Sequence, residues 1–246
     1  MKSQDNYPNQ GQGDSINNNL SSWSFDSNVP ENFDAHVSKS VPGYKDGHDL
    51  ITLYSDFFVN LPSKRVYDIG SSTGCLIQNI QSRHPKKELS FIGIEPSENM
   101  VKISSKRDYH DPNNVEFLND YVNNINLLSS SFIVSYYTIQ FISPGIRQKV
   151  FNQIYDSLDW GGGFFLFEKV RSPDARFQDY TSQSYQEFKI NNGYKMSEII
   201  SKSRSLKGIL EPFTSAANED FLARAGFKDF EVIFKSFCFQ GWLAIK

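Results

Sequence analysis

The sequence predicts an α/β fold, a doubly wound sheet of seven strands that ends in an antiparallel hairpin. Three observations predict it. Val66-Tyr67-Asp68-Ile69-Gly70 runs β-formers into a glycine turn and then into the helically spaced Leu76, Ile77 and Ile80, so the stretch reads as strand, turn, helix. Four apolar strands alternate with helices from that point on. Two further strands close the chain, near enough in sequence to pair directly.

Taken in order, residues 1–20 are dominated by Asn, Gln, Gly, Ser and Asp, with too little apolar surface to offset their chain entropy, and are expected to form a disordered tail. Residues 21–246 are expected to form one domain, opening with an N-terminal cap over 21–62. Trp23, Phe25, Val29, Phe33 and Val37 anchor that cap, and Ser40-Val41-Pro42-Gly43-Tyr44 supplies its turn. Asp49 to Leu61 aligns Leu50, Ile51, Leu53, Tyr54, Phe57, Phe58 and Leu61 on one helical face, and Pro62 stops the helix before the first strand. The second strand ends at Ile92, Ile94 and Glu95, with Ser97 as N-cap of the next helix. Val115 to Leu118 gives a third strand, and Phe132 to Phe141 a fourth. A helix from Ser143-Pro144 buries Ile146, Val150, Phe151, Ile154 and Leu158, and Gly161-Gly162-Gly163 turns the chain into a fifth strand, Phe164 to Phe167. Residues 168–208 break the alternation as a polar helical insertion, a common place for substrate or interface contacts. Asn218 is read as the cap of a helix that Gly226 stops, and Phe230 to Phe234 and Phe237 to Ile245 form the hairpin, turning through Lys235 and Ser236.

Composition narrows the function. A net charge of −3 gives no electrostatic reason to expect nucleic acid as a tight partner. No apolar run approaches the roughly 20 residues of a membrane span, and the start of the chain lacks the order of a secretion signal, so a cytoplasmic protein is expected. Cys75 and Cys238 fit no metal or redox spacing, and His36, His48, His84 and His110 fit no metal spacing either, so no metal is expected. His84 and His110 read as solvent-facing. His36 and His48 flank Tyr44, where either a site role or a packing role fits.

The glycine corner offers free N–H groups at a helix start beyond the first strand, where α/β sheets bind nucleotides. Acids follow at the ends of the first, second and third strands. Asp68 could take an amino group directly or through water, Glu95 both ribose hydroxyls, and Asp120 the exocyclic amine of adenine, each an acceptor aimed at a donor. Each acid could instead be a helix cap or a surface charge. A dinucleotide enzyme also places glycines and an acid here, but the Gly-x-Gly-x-x-Gly spacing is missing and a closing hairpin is foreign to that order.

These features resemble the Rossmann-like class I S-adenosylmethionine (SAM) dependent methyltransferase fold, and the flanking motifs are similar to those of the carboxy-SAM synthases. The marks are Phe25-Asp26 with Val29 and Phe33, Ser40 to Tyr44, Val66 to Gly70 with Ser72 and Gly74, Thr138-Ile139-Gln140-Phe141, Glu168-Lys169, Asn192-Gly193-Tyr194 and Gly226-Phe227. The resemblance implies that SAM and prephenate are substrates. Prephenate would give phenylpyruvate, its carbon dioxide captured by the deprotonated sulfonium methyl to form carboxy-SAM. It implies a homodimer with a possible downstream carboxymethyltransferase. By position, Tyr44 would contact the methionine part of SAM, Gly70, Ser71 and Ser72 the turn, Glu95 and Pro96 the ribose, and Asp120 and Tyr121 the adenine.

Two positions depart from the family pattern. Tyr136 stands where the family has an asparagine, and Ser203 where it has a carboxylate-binding arginine, with Arg204 next to it. Arg204, Tyr136 and Tyr194 are the candidate catalytic residues on this resemblance, since a neighbouring guanidinium with paired donors could reach the same carboxylate. The alternative is a SAM-dependent methyltransferase acting on a small molecule, favoured by Tyr136 and Ser203. A third class is a SAM-binding protein without turnover.

Overall fold

The computed structural model describes residues 33–246. The expected tail and the anchors Trp23, Phe25, Asp26 and Val29 lie outside the described residues. Seven strands form one sheet: β1 (Arg65–Ile69), β2 (Ser90–Ile94), β3 (Val115–Leu118), β4 (Ser130–Tyr136), β5 (Leu158–Lys169), β6 (Asp229–Ser236) and β7 (Phe239–Ile245). Their order is β3-β2-β1-β4-β5-β7-β6. The first five run parallel, while β7 pairs antiparallel with both β5 and β6.

Among the described residues eight α-helices connect and cover the sheet: α1 (Phe33–Ser40), α2 (Tyr44–Tyr54), α3 (Cys75–Arg83), α4 (Glu98–Ser104), α5 (Pro144–Ser157), α6 (Ala175–Asn191), α7 (Met196–Ser205) and α8 (Ser215–Ala225). The central strands are buried on both faces, so their side chains divide alternately between two cores. In β5, Phe164 and Leu166 join Val150, Phe151 and Ile154 of α5 and Leu222 of α8. Phe165 and Phe167 join Ile51 of α2 and Leu76, Ile77 and Ile80 of α3 on the other face. Among the described residues no helix is long and apolar enough to cross a membrane.

Several boundaries move from those expected. The helix expected over 49–61 is α2 and begins at Tyr44, because Gly43 at φ 69° turns the chain out of α1. It ends at Tyr54, where buried Ser55 donates to Thr52 O and pairs with His84 Nε2 at 2.7 Å, so His84 is a packed residue rather than a solvent-facing one. β4 stops at Tyr136, and Tyr137, at φ 60°, turns the chain above the sheet. The three glycines lie within β5, not before it. A β-bulge faces them between Ser130 and Phe132, and a Cβ on Gly163 would come within 2.6 Å of the Phe58 ring. Thr214, not Asn218, caps α8, its hydroxyl accepting from Ala217 N at 3.2 Å. The hairpin turns at Phe237 and Cys238, with Phe237 at φ 49°.

Candidate active site

The site begins where β1 runs out. Gly70, at φ 75°, donates its N–H to Ile94 O at 2.7 Å, tying the corner to the tip of β2. Any side chain at Gly70 would collide with Thr138. Ser72 sits at φ 49°, the left-handed region, and donates its N–H to Glu95 Oε2 at 3.0 Å. Glu95 Oε1 accepts from Ser97 N at 2.9 Å, while the Ser97 hydroxyl caps α4 as expected. A carboxylate held by backbone N–H groups at the tip of β2 is the kind of acceptor that suits a ribose diol.

Above the ends of the parallel strands lies a cavity of about 980 Å³. Tyr44, Asp68, Gly70, Ser71, Ser72, Glu95, Pro96, Tyr136 and Tyr194, all named from the sequence, stand on its wall. Asp68 is buried, and burial together with the nearby Glu95 pushes its carboxyl up to about 7. The buried Ser71 hydroxyl has no hydrogen-bond partner among the described residues. An acceptor short of a cation and an unpartnered hydroxyl on one wall fit an ammonium-bearing, polar ligand.

Tyr136 is fixed where the family pattern has an asparagine. Its hydroxyl donates to Tyr44 O at 2.6 Å, and its ring meets those of Tyr44 and His48 at centroid distances of 5.1 and 4.6 Å. Burial pushes His48 down to about 4, leaving it neutral, and raises Tyr44 and Tyr136 well above the usual phenol range. The cluster is an uncharged aromatic wall, suited to a sulfonium through its π faces.

Tyr194, at the start of the inserted α7 segment, places its hydroxyl 3.2 Å from His36 Nδ1, and Lys202 Nζ lies 3.0 Å from His36 Nε2. Cap helix α1 and insertion helix α7 thus meet over the cavity.

Three expected residues lie off the wall. Arg204 is exposed and outside the cavity, whereas Lys202 and Ser203 line it. Asp120 Oδ1 accepts from Tyr121 N and Asn124 Nδ2, both at 2.7 Å, stabilising a local turn, and Tyr121 is 58% exposed. Sequence reasoning in turn missed Lys189, Tyr185 and Cys238 on the wall, and left Lys169 as a motif mark without a role. Lys189 carries no local signal, because what gives it meaning comes from other elements.

Residues 66–162 match the family described as "Methyltransferase domain". The carboxy-S-adenosyl-L-methionine synthase of Staphylococcus epidermidis is 37% identical over 196 residues, 79% of this chain and 84% of that protein. That of Klebsiella pneumoniae subsp. pneumoniae is 31% identical over 193 residues, 78% of each chain. Among solved structures, a SAM-dependent methyltransferase of Thermotoga maritima, described as a possible histamine N-methyltransferase, aligns with a TM-score of 0.55. It is 20% identical, over 89% of this chain and 96% of that one, a likeness of fold alone. The seven-stranded order with its antiparallel end is the class I SAM methyltransferase fold. With the corner, the buried acids and this kinship over most of its length, the chain is a SAM-dependent transferase and belongs to the carboxy-S-adenosyl-L-methionine synthase family.

Proposed function

We propose that the protein converts SAM and prephenate to carboxy-SAM and phenylpyruvate. The observation that carries this reading is a single cavity with two chemically different ends. Asp68, Ser72 and Glu95 lie at the tips of β1 and β2, and the cations Lys169, Arg171 and Lys189 gather on the side of β5 and α6. In the first end Glu95 accepts the ribose hydroxyls and Asp68 takes the α-ammonium, directly or through water, while the aromatic wall of Tyr44, His48 and Tyr136 faces the sulfonium. The second end suits an anionic partner.

The reaction balances without an oxidant. The bond from the prephenate ring to one carboxylate breaks to give carbon dioxide, and hydroxide leaves the ring. Hydroxide takes a proton from the sulfonium methyl, giving water, and the methyl carbon bonds carbon dioxide. Holding both substrates in one cavity keeps that gas beside the carbon that captures it. Incubation with both compounds is expected to give, by mass spectrometry, SAM bearing one added carboxyl group together with an equal amount of phenylpyruvate. SAM binding with no such product removes this reading.

A methyltransferase acting on a small molecule is the second reading, favoured by Tyr136 and Ser203 at the two departed positions. Its signature is S-adenosylhomocysteine as product in the presence of an acceptor.

A further inference from the structure

Lys169 ends β5 and Lys189 lies near the end of α6, and both line the cavity. Their ammonium groups stand over one ring, that of Tyr185, at 4.9 and 4.3 Å from its centroid. Tyr185 is itself held from two elements. Its hydroxyl donates to Ser40 O at 2.7 Å, and its ring meets Phe239 edge-on at 5.4 Å.

Neither ammonium has a carboxylate within ion-pair distance among the described residues. Two neighbouring cations are engaged by other side chains. Arg171 faces Glu211 at 3.7 Å, and Lys202 is engaged with His36. Burial, and then the charge of Lys169, push Lys189 down to about 8. Two half-buried like charges without a counter-ion are costly, and an entering anion offsets that cost.

Position says which part of the second substrate belongs there. β5 is two strands from β1, roughly 10 Å across the sheet at about 4.8 Å per strand, and Lys169 lies four residues beyond Phe165, which is level with Asp68 through Val134, so the pair is set apart from the Asp68 corner both across and along the strands. A carboxylate that departs as carbon dioxide gives up its charge on the way. Cations clamped on it would stabilise the ground state more than the transition state and slow the reaction. A carboxylate that stays charged throughout is held without that penalty.

We propose that Lys169 and Lys189, presented over Tyr185, form the subsite for the carboxylate that the second substrate keeps. The assignment rests on the carboxyl-transfer reading above, and supplies cations on a different element from the one where the family pattern has its arginine.

The test titrates prephenate, and separately its product phenylpyruvate, which bears only the retained carboxylate, into the full chain saturated with S-adenosylhomocysteine. Wild type, Lys169→Gln, Lys189→Gln and Lys189→Arg are compared, with SAM affinity measured in parallel. The two glutamine variants are expected to weaken both anions about tenfold or more, as for loss of a charge-assisted hydrogen bond. SAM affinity should be unchanged, Lys189→Arg should recover most of the loss, and in turnover the effect should fall on KM for prephenate more than on kcat. Both anions binding the glutamine variants as tightly as wild type, or wild type binding neither anion, overturns the subsite. Lysine-dependent phenylpyruvate binding in an enzyme that makes no carboxy-SAM overturns the carboxyl-transfer reading and leaves the subsite standing.

Discussion

Ser72 occupies a backbone conformation that glycine adopts freely and an L side chain enters at a cost of roughly 1–2 kcal/mol. It is retained beside contacts of its own. Its N–H holds Glu95, and its hydroxyl lies 3.7 Å from Met100 Sδ. Because the N–H survives in glycine, Ser72→Gly is expected to leave SAM affinity little changed and stability within about 1 kcal/mol, as relief at φ 49° offsets the looser unfolded chain. Ser72→Val adds a branched Cβ to the same φ and is expected to lose about 1–3 kcal/mol. Urea unfolding and calorimetric titration with SAM check both. From the sequence Ser72 could be read as a flaw in a glycine motif. Its value lies in the dihedral, which composition does not display.

The cap illustrates the same limit for an element. A cap was expected from the anchors Trp23, Phe25, Val29, Phe33 and Val37 and the turn at Ser40 to Tyr44, and of that segment α1 places His36, Val37 and Ser40 on the cavity wall. What fastens it could not be read. Asp34, in the first turn of α1, accepts from Thr73 Oγ1 at 2.7 Å and from Arg107 Nη2 at 2.8 Å, and Arg107 Nε donates to Thr73 O at 2.7 Å. This clamps the lid onto the glycine corner through a residue 73 positions away in the chain. The pair is partly exposed, so Asp34→Ala is expected to cost about 1 kcal/mol, roughly fivefold in SAM affinity. Amide exchange should rise across α1 while the unfolding midpoint moves little. An unchanged exchange rate in α1 would show that the clamp does not hold it. The insertion behaves likewise. Its helical character was legible, but its start was not, since Glu168 and Lys169 belong to β5, nor was the face of α7 that turns inward, where Lys202 and Ser203 meet the cavity and Arg204 does not.

Over the whole molecule, buried acids set the response to pH. Burial pushes Glu168 up to about 8, opposed by Arg147 and the N–H groups of Ile139 and Gln140, and Asp68 rises to about 7. A carboxyl whose folded value lies above its unfolded value binds its proton more tightly in the native state. Its stabilisation is complete below the unfolded value and is lost as pH rises through the folded one. His48, neutral in the fold from about pH 4, acts in the opposite sense only up to its unfolded value of 6.5. The ligand-free protein should therefore melt at progressively lower temperature from pH 6.5 to 8. Glu168→Gln, which cannot ionise, should flatten the upper part of that slope, and a slope equal to wild type in thermal scans would rule out Glu168 as its source. The sequence by itself determined the alternation of strands and helices, the glycine corner and the acids at the tips of β1 and β2. Each of these is written in local spacing or in the end of a strand, where periodicity fixes the side a residue faces. Only the tertiary structure decided which cations reach the cavity, that Tyr136 is bonded to the backbone of Tyr44, and that Lys169 and Lys189 share one aromatic ring. The reason is physical. These relations arise where β4, β5, α2 and α6 pack together, and the rotation of one element against another is set by the core between them, not by the residues along either one.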